Sequence, residues 1–380
     1  MTSPTGVLYV HHASRLGGAE QSLVDLIAGI DRTVVRPVVI LPEEGPLATR
    51  IRALGADVRL TRMKRLTRTV NPMRLIGYAA DVLLGARAIA GIAAELDASW
   101  IHANSVYAAF HTARAARLAG IGSACHLRDM VSLPFSAGSV LSRFDVVIPI
   151  SEAVAGFYGL DPNTVIPSGI DFDRFDTSAS GTALREQVGI PPETPVAGMV
   201  SQLVPWKNHR DFLRAAAAIL KKLPEVHFLM VGSDSFGDHP AYQNDLEQFA
   251  VELGIAESVH WLGWHEHMSE VYAAIDVLIH PTAVEPFGRV LVEAMGCGVP
   301  VVACDAAGPS EIVTNETTGF LVPAGDTDAL ASKGCALLAD EALRSRMRAA
   351  AGDDVRSRFS AAVVSRRVMD LYRRSDSPAK

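Results

Sequence analysis

The stretch Glu285-Pro286-Phe287-Gly288-Arg289-Val290-Leu291-Val292-Glu293, running on into Ala294-Met295-Gly296-Cys297-Gly298-Val299-Pro300, carries the most informative pattern in the chain. Two carboxylates eight residues apart straddle a Pro-Phe-Gly turn and the opening of an apolar helix. A helix start presents N–H groups without partners in the helix and the positive end of the macrodipole, which suit a phosphate. Glu285, ahead of the turn, can reach one end of an anionic ligand. Glu293 lies about five residues into the helix, roughly 7.5 Å along its axis at about 1.5 Å per residue. That reach matches a diphosphate plus a ribose, with a hydroxyl-binding carboxylate at each end. Glutamate before proline is also common in turns, and glutamate in the first turns of a helix complements the dipole without any ligand.

Working outward, strands and helices alternate on both sides of this stretch. Residues 6–12 read as a strand, followed by the loop Gly17-Gly18-Ala19-Glu20 and a helix to residue 30. Strands at 34–41 and around Val58 and Leu60 come next. A long helical pattern covers 72–96, and strands follow near 100–103, 123–127 and 146–150. Such alternation argues a parallel, doubly wound sheet. The segment Val165-Ile166-Pro167-Ser168-Gly169-Ile170-Asp171 and a polar stretch to about Gly181 mark a domain boundary, because the pattern then restarts. Strands are expected at 195–200, 226–232, 259–262, 277–280, 299–304 and 320–322, with helices at 210–223, 244–253, 269–275 and 310–313 between them. The last hundred residues or so are mostly helical. The expected fold class is α/β, with two Rossmann-like doubly wound parallel-sheet domains facing an interdomain cleft and ligand at the C-terminal ends of the strands. The domains are placed at 1–168 and 169–362, with a C-terminal helix at 363–380 packing back on the first.

The bulk numbers agree with two domains. A chain of 380 residues is long for one core. Its 49% hydrophobic and 20% charged residues are those of a folded protein. A net charge of −7 leaves no basic excess for a nucleic-acid backbone, so nucleic acid is not an expected partner. Cys125, Cys297, Cys304 and Cys335 lack metal-binding spacing and suggest a reducing cytoplasm. No signal peptide pattern is seen at Met1-Thr2-Ser3-Pro4. The apolar region 75–96, interrupted by Asp81, Arg87 and Glu95, reads as too broken for a membrane span.

Several further groups carry chemistry. Gly17-Gly18 lets backbone approach a ligand at a helix start, or simply makes a tight turn; Glu20 reads as a helix cap. Lys207, in the loop Ser201-Gln202-Leu203-Val204-Pro205-Trp206-Lys207-Asn208-His209 after a strand, can neutralise a diphosphate or be a solvated surface lysine. His126, in Ala124-Cys125-His126-Leu127-Arg128-Asp129, ends a strand and is either a site residue or a buried structural histidine. His102 and Asn104 end the preceding strand. Arg128 and Asp129 could pair with one another or bind a ligand. Gly232 and Trp264 end neighbouring strands of the second half. Arg59, Arg62, Lys64, Arg65 and Arg68 form a basic segment, a solvated loop by default and otherwise a contact for an anionic membrane surface or acceptor phosphate.

Together these strings resemble retaining glycosyltransferases of family 4, the glycosyl transferases group 1, which have the GT-B fold. The resemblance covers most of the chain and is strongest from about 196 to 322. It implies transfer of a sugar from a nucleoside-diphosphate sugar, UDP by family habit and otherwise GDP, to an acceptor hydroxyl with retention. The first domain then binds the acceptor and the second the nucleotide-sugar. Glu285 contacts the donor sugar, Glu293 the ribose, and His126 helps position sugar and acceptor. The donor is bound by Gly17, Gly18, Gln202, Lys207, Phe287, Gly288, Arg289, Val290, Leu291 and Glu293. Catalytic weight falls on Glu285, His126 and Lys207. His102, Asn104, Arg128 and Asp129 line the acceptor side. No cofactor and no metal is required, since the nucleotide-sugar is a co-substrate.

One departure stands out: the family string carries arginine where this chain has Gln202, so the diphosphate meets one fewer cation, with Arg289 or Arg15 able to compensate. The alternatives are a non-catalytic nucleotide-sugar-binding protein or partner subunit, and an epimerase of the same fold. Acceptor classes are a lipid-linked carrier, a polysaccharide or a small molecule. The expected location is cytoplasmic, with residues 59–68 offering a peripheral contact at the inner face of the membrane.

Overall fold

Strands buried on both faces read as nearly continuous apolar runs, and a parallel sheet covered by helices requires that pattern. β1 (Thr5–Val10), β2 (Val35–Leu41), β4 (Trp100–Ala103) and β5 (Gly122–Leu127) follow it, while β3 (Asp57–Leu60) at the sheet edge is largely exposed. With β6 (Val146–Pro149) they form one all-parallel sheet in the order β3-β2-β1-β4-β5-β6. The helices between and after them are α1 (Gly18–Ala28), α2 (Pro46–Ala53), α3 (Pro72–Glu95), α4 (Val106–Ala119), α5 (Ala137–Leu141) and, beyond β6, α6 (Glu152–Tyr158). The computed structural model describes residues 3–63, 71–132, 137–176, 178–235 and 237–374.

The second sheet repeats the plan. β7 (Val196–Val200), β8 (His227–Val231), β9 (Val259–Gly263), β10 (Val277–His280), β11 (Val301–Cys304) and β12 (Phe320–Val322) run parallel in the order β12-β11-β10-β7-β8-β9. Around them lie α7 (Thr182–Gln187), α8 (His209–Leu220), α9 (Tyr242–Glu252), α10 (Met268–Ala274), α11 (Arg289–Gly296), α12 (Gly308–Ile312), α13 (Thr327–Ala339) and α14 (Glu341–Phe359). Each sheet has its own core. Tyr9, Leu23, Ile27, Val39 and Ile51 centre the first; Phe212, Leu213, Phe228, Ile279 and Leu330 centre the second.

The chain divides into one compact unit of Met1–Asp171 with Phe359–Lys380 and another of Phe172–Arg358. Sequence reading set these boundaries at 168 and 362. The structure shifts both because outgoing and returning strands bond side by side: Ile170 N–H donates to Phe359 C=O and Ala361 N–H to Ile170 C=O, each at 2.8 Å. Both crossings therefore belong to the first unit. The last helix, α15 (Ala361–Arg374), buries Val364, Val368, Met369 and Tyr372 in the first core, and Ser365 Oγ donates to Leu26 C=O at 2.9 Å.

Helix α3 holds the apolar region of the first unit. Ile76–Glu95 is long and apolar enough, by length and composition, to cross a membrane. Its Asp81 does not interrupt an exposed surface; it is buried and meets His111 Nε2 of α4 at 3.3 Å. Gly85 permits this approach, since a Cβ there would lie 2.7 Å from the His111 ring.

Candidate active site

In open parallel sheets, ligands bind beyond the C-terminal strand ends where the strand order reverses. In the second unit that point lies between β7 and β10. β7 runs into Ser201-Gln202 and the 3-10 turn Pro205–Lys207; β10 runs into Pro281-Thr282 and the Pro286-Phe287-Gly288 turn. The two loops are tied together where Thr282 Oγ1 donates to Lys207 C=O at 3.2 Å. Lys207 Nζ then meets Glu285 Oε2 at 2.5 Å, and His280 Nε2 lies 3.2 Å from the same oxygen. Burial opposes ionisation of Glu285, yet Lys207 and His280 outweigh it and hold the carboxyl well below the usual range. His209, buried behind the loop and bonded to Ser201 Oγ at 2.9 Å, is pushed down to about 3 by burial and then by Lys207, so it stays neutral.

Two glycines shape this end of the sheet. Gly288, with φ +104°, caps the start of α11 and turns the chain so that its first N–H groups point out of the helix. Gly232, with φ +136°, ends β8 against the Ser201 carbonyl, where a Cβ would lie only 1.8 Å from the oxygen. Ser201 N–H donates to Val231 C=O at 2.9 Å, which holds the Gln202 loop against the strand end.

One turn into α11, Glu293 is enclosed by donors. Oε1 accepts from Arg289 at 2.9 Å and from Arg174 at 2.7 Å, and Oε2 accepts from the Tyr272 hydroxyl at 3.0 Å. Burial and then the Glu293 charge push Tyr272 well above its ordinary value, so it remains a donor. Arg174 and Tyr272, 119 and 21 residues from Glu293, leave no local mark in the sequence. His280 was within reach of a reading, because it ends a strand five residues before Glu285. Phe287 is buried, while Trp206 and Trp264 are exposed near the same strand ends.

The first unit has its own reversal point, between β1 and β4. Glu20 serves the free N–H groups of the α1 start and has a second partner. Its carboxylate accepts from His11 Nε2 at 2.6 Å, and a Cβ on Gly17 would come within 2.9 Å of it. Gly18 begins α1 beside it. Asn104 Nδ2 donates to His11 Nδ1 and to Ala19 C=O, both at 3.2 Å, while its Oδ1 accepts from Arg128 Nε at 2.9 Å. Arg128 is buried and also reaches Ser168 Oγ at 3.2 Å and His126 Nδ1 at 3.4 Å. His126 Nε2 donates to Ile166 C=O at 3.3 Å, so both ring nitrogens are engaged inside the unit. Burial first, then Arg128 and His102, drive its titration well below the ordinary range. Of the two readings open for His126, the structure provides the setting of a buried, hydrogen-bonded histidine. His102 is likewise buried, bonded to Tyr372, and pushed to about 3. Asp129 C=O accepts from Tyr158 at 3.1 Å.

Within the basic segment, Arg59 pairs with Glu95 at 3.2 Å and Arg62 lies 4.0 Å from Asp81; Lys64, Arg65 and Arg68 fall outside the described residues. Among the described residues no group of three or more His, Cys, Asp or Glu is placed to hold a metal ion. The four cysteines are free thiols.

Residues 181–354 match the family described as glycosyl transferases group 1. The D-inositol 3-phosphate glycosyltransferase of Mycolicibacterium gilvum is 32% identical over 329 residues, 83% of this chain and 69% of that protein. The lipopolysaccharide core biosynthesis mannosyltransferase LpsB of Rhizobium meliloti is 31% identical over 216 residues, 56% of this chain and 60% of that one. For several curated relatives the match spans about half of their length, 44% in three mycobacterial D-inositol 3-phosphate glycosyltransferases. Among solved structures, Anabaena HepE in complex with UDP-glucose superposes with a TM-score of 0.83 at 28% identity, covering 97% of this chain and 99% of that one. A glycosyltransferase from Rickettsia africae, 22% identical with a TM-score of 0.85 over 100% of both chains, shares the fold.

Proposed function

Because the chain belongs to the glycosyl transferases group 1 family, we propose that it moves a sugar from a nucleoside-diphosphate sugar, first a UDP-sugar, to an acceptor hydroxyl with retention of configuration. The acceptor O–C1 bond forms as the C1–O bond to the diphosphate breaks, and the hydroxyl proton is released with the nucleoside diphosphate. The observation that carries this reading is the grouping of Lys207, His280 and Glu285 at the β7/β10 reversal point, directly ahead of the α11 N-terminus. A cation and a helix start together suit a leaving diphosphate as preorganised electrostatic stabilisation. Glu285 orients the donor sugar, Glu293 accepts from the ribose hydroxyls, and the amides of Gly288, Arg289, Val290 and Leu291 meet the phosphates. HepE, similar over nearly all of this chain, binds UDP-glucose, which favours uridine here.

Arg289 supplies the second cation that Gln202 does not. It sits at the first position of α11, and its present partner Glu293 exchanges it for ribose hydroxyls. To the first unit this reading assigns acceptor recognition through His102, Asn104, Arg128 and Asp129, with His126 positioning rather than exchanging protons. The transfer needs no metal, and the protein works in the cytoplasm on a lipid-linked, polysaccharide or small-molecule acceptor.

A turnover and thermal-shift screen across UDP-, GDP- and TDP-sugars tests the reading. One UDP-sugar should raise the melting temperature and release UDP, and excess EDTA should leave the rate unchanged. The variant Gln202→Arg should change donor hydrolysis by less than about tenfold, since one added cation contact is worth about 1.5 kcal/mol or less where another already serves. Strong activity appearing only in Gln202→Arg would instead mark a site that binds without turnover.

A further inference from the structure

Both donors to Glu285 fall on one of its oxygens. Lys207 Nζ lies 2.5 Å from Oε2 and His280 Nε2 lies 3.2 Å from the same atom, while Oε1 has no partner among the described residues. The two donors are held very differently. Lys207 ends the 3-10 turn Pro205–Lys207, and its long, flexible side chain is 18% exposed. His280 ends β10 with its side chain 1% exposed, and Cys304 Sγ donates to the carbonyl of the next residue, Pro281, at 3.1 Å. A carboxylate only accepts, so Nε2 carries the ring proton. Nδ1 is enclosed and has no partner among the described residues, which dedicates the ring to Glu285.

We propose that His280 is a positioning residue that holds the Glu285 carboxylate once Lys207 has left it for the diphosphate. This role rests on the donor reading above and adds an exchange of partners to it. An ammonium on a flexible stem, placed between a carboxylate and a diphosphate, moves toward the larger charge. Glu285 then stays buried with a single donor. Without that donor a buried carboxylate takes up a proton, and a neutral Glu285 would present a hydroxyl where the sugar needs an acceptor. His280 keeps a hydrogen bond on Oε2 and leaves Oε1 to a sugar hydroxyl. The described surroundings offer no substitute. His209 of α8, behind Lys207, is kept neutral by burial and then by Lys207. Arg289 of α11 is on Glu293 at 2.9 Å. The α11 and α12 side is apolar: a Cβ on Gly288 would lie 3.1 Å from Leu291 and 3.5 Å from both Ile312 and Glu285 Cγ.

Calorimetry of UDP binding at about pH 8 and about pH 5.5 tests this, with wild type as the reference that cancels the titration of UDP itself. At the higher pH His280→Phe should bind UDP about tenfold to a hundredfold more weakly than wild type, because Lys207 must leave a buried charge behind. The raised carboxyl belongs to the bound form of the variant, so acid favours its binding. The loss should therefore shrink to about threefold or less at the lower pH, and the variant should take up about one proton more than wild type on binding. His280→Gln, whose amide can reach Oε2, should stay within about threefold of wild type at both pH values. Where the phenylalanine variant does not fold, His280→Asn, whose amide stops short of Oε2, should show the same pH-dependent loss. Wild-type affinity in His280→Phe at about pH 8 would overturn the proposal. So would a loss of equal size at both pH values, or one shared by His280→Gln, since either marks a packing role. The transfer reading fails separately. A wild type that shows this linkage yet turns over no UDP-sugar keeps the role of His280 and loses the reaction, whereas a wild type that does not bind UDP loses both.

Discussion

Replacing Lys207 by methionine should lower kcat/KM about a thousandfold and weaken the fold of the second unit at neutral pH. The kinetic loss follows from position. Lys207 lies at the end of the loop after β7, and Gln202, in the same loop, brings no charge. Removing one preorganised donor to a developing anion costs about a hundredfold to a thousandfold, and here few cations share the load. The stability loss follows from Glu285. Its carboxylate is buried and ionised against Lys207 at 2.5 Å and His280 at 3.2 Å. Removing one partner of such a pair leaves a buried charge uncompensated, at about 3–5 kcal/mol.

The pH dependence separates the two effects. The native carboxyl of Glu285 titrates below its unfolded value, so its contribution to stability is complete above about pH 4.3 and is lost as pH falls from there toward the depressed native value. In the methionine variant burial meets only His280, and the depression shrinks. The stability gap between wild type and variant should therefore be widest at neutral pH and narrow below about pH 4. Urea unfolding at pH 7 and near pH 3.5 measures it. A gap that does not change would mean the ion pair is not its source, and an unaltered kcat/KM would remove Lys207 from the diphosphate.

Much of this architecture was legible because its signals are local. Strands such as Val277–His280 and Phe320–Val322 are buried on both faces, so each is an apolar run between turn residues. Glu285 and Glu293 could be related to one another because one turn and one helix fix their spacing. α4 lies outside the expected elements although its ends are marked, Ser105 accepting from Ala108 N–H at 3.2 Å and Gly120 closing the helix with φ +67°. Other features had no local trace. Arg174 reaches Glu293 across 119 residues, and the pairing of Ile170 with Ser360 that moves both domain boundaries joins segments far apart in the chain. Glu20 reads as a cap because a glutamate in a first turn serves the free N–H groups and the dipole, and it does so; its second partner His11, beyond the end of β1, leaves no local trace.

The two glutamates on either side of the α11 start should separate in function when each is changed. Glu293→Ala should weaken UDP about tenfold to a hundredfold, because hydrogen bonds to a charged group contribute about 1.5–3 kcal/mol. Glu285→Gln should lower kcat about a hundredfold or more while altering UDP affinity less than about threefold, since UDP lacks the sugar that Glu285 orients. Truncating Glu293 also strips Tyr272, Arg174 and Arg289 of their shared carboxylate, so Glu293→Gln, which keeps the size and one acceptor, belongs beside it. Calorimetry with UDP and with uridine resolves the remaining assignment. If Glu293 holds the ribose, its alanine variant should lose the same factor for both ligands. If Arg289 leaves Glu293 for the phosphates, Arg289→Ala should weaken UDP about tenfold and leave uridine unchanged. Equal losses for both ligands in Arg289→Ala would place that arginine on the nucleoside and leave Lys207 as the cation of the leaving group.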